Sequence, residues 1–116
     1  MKIEIYRETD NPLPEYQNKG DAGLDIRSNE DVTIRAFSWT TIGTGLYIII
    51  PFGYEGQMRS RSGLAAKHGV HVLNSPGTID SGYRDEVKVI VKLFISINFY
   101  SFFPMLQSII ISFLPM

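Results

Sequence analysis

Three short segments of this sequence gather residue types that suit phosphates and heteroaromatic rings. One runs Arg59-Ser60-Arg61-Ser62-Gly63-Leu64-Ala65-Ala66-Lys67-His68-Gly69-Val70. Its two guanidiniums, two hydroxyls and glycine precede a short helical candidate, so backbone N–H groups and cations can converge on phosphate oxygens. The same residues also suit a solvated segment in which Ser62 caps the helix. A second segment, Asn74-Ser75-Pro76-Gly77-Thr78-Ile79-Asp80-Ser81-Gly82-Tyr83-Arg84-Asp85-Glu86, has the punctuation of a hairpin bent against a ligand. Asparagine both donates and accepts, as a nucleobase edge requires, tyrosine supplies a flat ring with a polar rim, and a nearby carboxylate can activate water. A hairpin whose polar groups satisfy its own backbone fits this composition equally. The third segment, Asp21-Ala22-Gly23-Leu24-Asp25-Ile26-Arg27-Ser28, by itself reads as a turn entering a strand. His68 and His71 have too few carboxylate companions to suggest a metal site.

The elements that must position these segments are short strands. Ile3 and Ile5, Val32 and Ile34, and Val87, Val89 and Val91 each alternate with other residues and so share one face of an extended chain. Leu46 to Ile50 is a continuous apolar run stopped by Pro51, the pattern of a buried strand leading into a turn. The one helical candidate is Gly63 to His68, with Gly69 placed to end it. The chain has 116 residues, enough for one core. Its net charge of -1 provides no field for a nucleic-acid backbone, and the absence of cysteine removes disulfides and thiolate chemistry. The start of the chain lacks a secretory pattern, so the cytoplasm is the expected location. All 23 charged residues and all ten glycines precede residue 93. Residues 1–92 are therefore expected to form a β-barrel or β-sandwich, and 93–116 an uncharged apolar tail of different character.

Taken together and in order, Ala22-Gly23-Leu24-Asp25-Ile26, Arg61-Ser62-Gly63-Leu64-Ala65 with Gly69-Val70, and Asn74 through Gly77-Thr78-Ile79-Asp80 to Tyr83-Arg84 resemble the first three motifs of trimeric dUTPases. The resemblance covers roughly residues 1–91, including Tyr54-Glu55-Gly56-Gln57. It implies an all-β, distorted antiparallel β-barrel of jelly-roll type, a homotrimer, and hydrolysis of dUTP to dUMP and pyrophosphate. It also implies magnesium held through the substrate phosphates, with no direct protein ligand. Asp80 matches the aspartate that activates the attacking water. Asn74 matches the uracil reader, with backbone along Thr78 and Ile79 completing the pocket and Lys88 bordering the base. Tyr83 matches the ring beneath deoxyribose that leaves no room for a 2'-hydroxyl. Arg61, Ser62 and Gly63 match the phosphate-gripping loop, and Asp25 the acid that supports that loop and the metal's water shell.

Two departures from the family pattern stand out. Asp85 occupies a position commonly held by glycine, and is expected to be tolerated. No stretch resembles the family's fourth motif or its glycine-rich fifth, so these 116 residues alone are expected to have little or no turnover. The tail admits three readings: a membrane anchor, which Asn98, Pro104 and Gln107 disfavour; a β-segment completing the barrel; or, as preferred from its composition, the product of a disrupted reading frame. Two other functions remain open, a dCTP deaminase-like enzyme of the same fold and a non-catalytic nucleotide-binding or membrane-anchored relic.

Overall fold

The computed structural model of the chain describes residues 2–94, 99–101 and 109–116. They form strands β1 (Glu4–Arg7), β2 (Leu24–Ile26), β3 (Val32–Ile34), β4 (Trp39–Gly43), β5 (Leu46–Ile49) and β6 (Tyr54–Ser60). The short helix α1 (Ser62–His68) follows, then β7 (Val70–Val72), β8 (Gly77–Ile79), β9 (Lys88–Leu93), β10 (Phe99–Ser101) and β11 (Ile109–Pro115). Every strand pair is antiparallel, in four sheets ordered β1-β5, β10-β3, β2-β11-β6-β8 and β4-β9-β7. The all-β expectation holds. Among the described residues, however, the ladders do not join into a closed barrel.

Alternation builds the core. Val87, Val89 and Val91 are all buried, while Lys88 between the first two is exposed. Gly56 and Met58 of β6 are buried between partly buried neighbours. The apolar run at Leu46 to Ile50 differs from its expected full burial: Leu46, Ile48 and Ile50 enter the core, whereas Ile49 is 41% exposed. Its period is that of a strand with one face on the core, not of a strand covered on both sides. Helix α1 ends where Gly69 adopts a left-handed conformation, φ 64°, and donates its N–H to the Ala65 carbonyl at 2.9 Å. A residue without Cβ takes that conformation at no steric cost.

The hairpin expected around residues 74–86 is instead a crossing between sheets. Strand β8 pairs with β6, and β9 pairs with β4 and β7, so the two strands flanking Asp80–Val87 are not partners. Ile79 and Val87 both belong to the buried cluster, while the mostly exposed residues between them carry the chain over the surface from one sheet to another.

The boundary drawn at residue 92 lies within β9. Beyond it, β10 pairs with β3, and β11 runs between β2 and β6. Three registered pairs link β11 to β2, and seven link it to β6. Among the described residues no helix is long and apolar enough to cross a membrane.

Proline within a centrally paired strand removes a ladder donor. Ile110→Pro, at the residue paired on both sides of β11, is expected to lower the midpoint of thermal unfolding by about 10 °C or more, since about 1 kcal/mol moves a domain of this size by several degrees. Circular dichroism melting checks this, and an unchanged midpoint contradicts the observed pairing.

Candidate active site

The phosphate-type residues meet across three strands. Asp25 on β2 is paired with Ile110 on β11, and Ile110 is paired with Arg59 on β6, so residues far apart in sequence occupy one cross-strand row. Two residues along, Arg61 is the N-cap of α1 with an extended backbone (φ -85°, ψ 127°). Its Nη1 donates to Asp25 Oδ2 at 2.8 Å. The pair is a charge-assisted hydrogen bond, partly screened because the Arg61 side chain is 41% exposed and that of Asp25 13%. Asp21, Ala22, Gly23, Asp25, Arg59 and Arg61 line a cavity of about 130 Å³. Ser62 does not cap the helix: it is the first helical residue, and the N-cap makes no side-chain capping bond. Ser62 and Gly63 are both exposed, and the Ala65 N–H to Arg61 carbonyl bond marks the helix's first turn. Their N–H groups therefore precede the first residue that can find an acceptor within the helix.

The second cluster lies on the crossing between β8 and β9. Thr78, Ile79, Tyr83, Val87 and Lys88 line a cavity of about 140 Å³. The crossing braces itself: the Tyr83 N–H donates to the Asp80 carbonyl at 3.1 Å, and Arg84 Nη1 donates to the carbonyls of Ser81 at 2.8 Å and Tyr83 at 3.0 Å. Tyr83 Oη donates to the Glu86 carbonyl at 2.7 Å, fixing the ring's direction. Burial, reinforced by the negative charges of Asp85 and Glu86, pushes the Tyr83 phenol above its ordinary pKa of 10.0, so it remains the neutral donor this bond requires. Asp85 does not lie in the left-handed region, which among the described non-glycine residues only Phe37 enters. An aspartate is thus accommodated without strain where the family commonly has glycine.

Asp80 and Asn74 are exposed at opposite ends of β8. The Asn74 amide lies over Gly77, where an added Cβ would meet its Nδ2 at 3.3 Å. A side chain at 77 would therefore require the exposed Asn74 amide to give way by a few tenths of an ångström.

A dUTPase family model matches residues 9–100. The chain belongs to the dUTPase family. It is 48% identical over 93 residues to the deoxyuridine 5'-triphosphate nucleotidohydrolase of Fusobacterium nucleatum subsp. nucleatum, covering 78% of this chain and 64% of that one. It is 54% identical over 92 residues to the enzyme of the same name from Nautilia profundicola, covering 78% and 65%. The chain thus spans just under two thirds of the length of these curated relatives. In structure it resembles the dUTPase from phage phi11 of S. aureus with a TM-score of 0.84 at 22% identity, over 100% of this chain and 91% of that one. The Staphylococcus bacteriophage 80alpha dUTPase with dUPNHPP gives 0.80 at 21% identity, over 99% and 83%. These two likenesses establish the fold.

Of the residues expected from the family motifs, Thr78, Ile79, Tyr83 and Lys88 line one cavity, and Asp25 and Arg61 line the other. Ser62 and Gly63 adjoin the second; Asn74 and Asp80 flank the strand leading to the first. Sequence reasoning counted Arg59 among the two guanidiniums of the phosphate segment and placed Asp21 in the third segment, but the family motifs gave neither of them a role, and Val87 was not singled out as a site residue. Arg59 carried a signal, since a residue two before Arg61 on a strand shares its face. Val87 carried none, because it reads as one more core valine.

The raised Tyr83 pKa has a definite sign. The neutral phenol is favoured in the folded chain, so its contribution to stability is fully present below pH 10.0 and is lost as pH rises through the folded-state value. Ultraviolet difference titration of the folded chain against Tyr83→Phe is expected to isolate one phenol ionising above pH 10.0. A phenol titrating at or below that value contradicts the described environment.

Proposed function

We propose that this chain carries the chemistry of a dUTP diphosphatase, hydrolysing dUTP to dUMP and pyrophosphate. The supporting observation is that Thr78, Ile79, Tyr83 and Lys88 share one cavity while Asp25, Arg59 and Arg61 share another, a division suited to a nucleoside at one end and a phosphate chain at the other. Thr78, Ile79 and Lys88 offer backbone to the uracil edge, with Asn74 reading it from beyond Gly77. Tyr83 underlies deoxyribose. Arg61, Ser62 and Gly63 grip the phosphates, and Asp25 holds Arg61 in place.

In the reaction Asp80 takes a proton from water as the water oxygen bonds to the α-phosphorus. The bond from that phosphorus to the oxygen bridging toward the β-phosphorus breaks, and its electrons leave with pyrophosphate. Asp21 and Asp25 stand among two guanidiniums, a donor set that suits magnesium arriving with its phosphates and water better than a bare ion. Bound there, magnesium would offset the triphosphate's negative charge, with Asp25 beside its water shell. Residues 1–92 carry the nucleotide site in this reading, and 93–116 supply strands without the family's later motifs. A homotrimer and a cytoplasmic location complete the proposal.

The test uses a form of the protein with measurable turnover, either the 116-residue chain or the chain extended by a relative's C-terminal part. Asp80→Asn is expected to reduce pyrophosphate release from dUTP by about 100- to 10,000-fold while dUTP affinity stays nearly unchanged. A loss below about tenfold removes Asp80 from the role of base. Ammonia release from dCTP, with none of the expected pyrophosphate from dUTP, would replace the proposal with deamination.

Tyr83→Ala is expected to admit UTP, because the ring occupies the space of a 2'-hydroxyl. Comparing kcat/KM for UTP and dUTP checks this, and unchanged discrimination refutes the assignment.

A further inference from the structure

Val87, which lines the Tyr83 cavity, is held by Thr44, a residue that lines neither cavity. Val87 is 2% exposed, and its two backbone polar groups bond to Thr44, in the turn between β4 and β5, and to Leu46, the first residue of β5. Its N–H donates to the Leu46 carbonyl at 2.7 Å, and its carbonyl accepts from Thr44 Oγ1 at 2.6 Å. Thr44 Oγ1 in turn accepts the Leu46 N–H at 3.2 Å. Three hydrogen bonds therefore close a ring through Thr44, Val87 and Leu46, with the Thr44 side chain in a residue only 2% exposed.

The ring joins the pocket through Val87, which lines it. Val87 and Lys88 both line the cavity, and Lys88 is registered opposite Gly43, the residue before Thr44. The preceding residue, Glu86, provides the carbonyl that receives the Tyr83 hydroxyl. Its carboxylate lies over Gly43, where an added Cβ would come within 2.7 Å of Oε2. The position of the Tyr83 ring and that of the facing wall thus depend on the same three residues, 86 to 88, whose middle member is held by Thr44.

We propose that Thr44 is a positioning residue for the nucleoside pocket, its buried hydroxyl setting the separation between Tyr83 and the Val87–Lys88 wall and hence the discrimination between deoxyribose and ribose. The inference rests on the diphosphatase reading of that pocket. Removing the hydroxyl leaves the Val87 carbonyl buried without its donor, a costly state that a shift of residues 86–88 relieves. The methyl group of Thr44 has no part in this, so serine suffices at the position.

The experiment titrates the full 116-residue chain with dUMP and UMP by calorimetry, for wild type, Thr44→Val and Thr44→Ser. Thr44→Val is expected to weaken dUMP binding by about tenfold or more and to collapse its preference over UMP, while Thr44→Ser retains both. A Thr44→Val chain with the wild-type dUMP preference, or a Thr44→Ser chain impaired as much as Thr44→Val, overturns the proposal alone. Hydrogen exchange on the wild type provides a test that does not require the valine variant to fold. Saturating dUMP is expected to slow exchange of the Leu46 and Val87 amides more than those of β7, and equal slowing overturns the proposal. A wild-type chain that binds no dUMP overturns the diphosphatase reading and this inference with it.

Discussion

The cluster of Asp25, Arg59 and Arg61 exists because one strand satisfies the backbone of two others. Strands β2 and β6 carry Asp25 and Arg59 but do not pair with each other; β11 stands between them and pairs with both. Backbone N–H and C=O groups on a buried strand edge must find partners, so this insertion fixes the register of both flanking strands together. With Ile110 opposite both Asp25 and Arg59, the acid and the cation fall into line, and Arg61 just beyond β6 reaches Asp25 at 2.8 Å. A segment with no charged residue and no glycine thereby aligns Asp25 and Arg59. Its contribution lies in main-chain pairing, which depends little on side-chain type beyond β-propensity.

The two cavities are held by different means. Around Asp25 and Arg61 the ordering force is electrostatic and partly open to solvent, so the guanidinium can be redirected by an incoming anion. Around Tyr83 the ordering is by neutral hydrogen bonds: the phenol to Glu86, the Tyr83 N–H to Asp80, and the buried ring through Thr44 behind Val87. Of these, only the ring through Thr44 is buried, where a bond left unmade is costly; the phenol bond lies at the surface. Asp80, exposed at the end of β8, joins the self-braced crossing through its backbone carbonyl, which leaves its carboxylate out of the bracing.

Much of this was legible in the sequence for local reasons. Alternation at Val87, Val89 and Val91, the helical stretch ended by Gly69, and the three ordered motifs all depend on neighbours a few residues apart, and each agrees with the strands, helix cap and family membership found. Sequence alone also separated a charged, glycine-containing region from an uncharged tail. Other features were not local. A hairpin signal at residues 74–86 could not reveal that its flanking strands pair with β6, β4 and β7, because turn chemistry specifies a bend and not the sheet that receives the chain. Composition could not show that tail residues complete the row from Asp25 to Arg59, since cross-strand register is decided by partners distant in sequence. Thr44 and Val87 read as an ordinary threonine and a core valine, and only folding closes the hydrogen-bonded ring that joins them to Leu46.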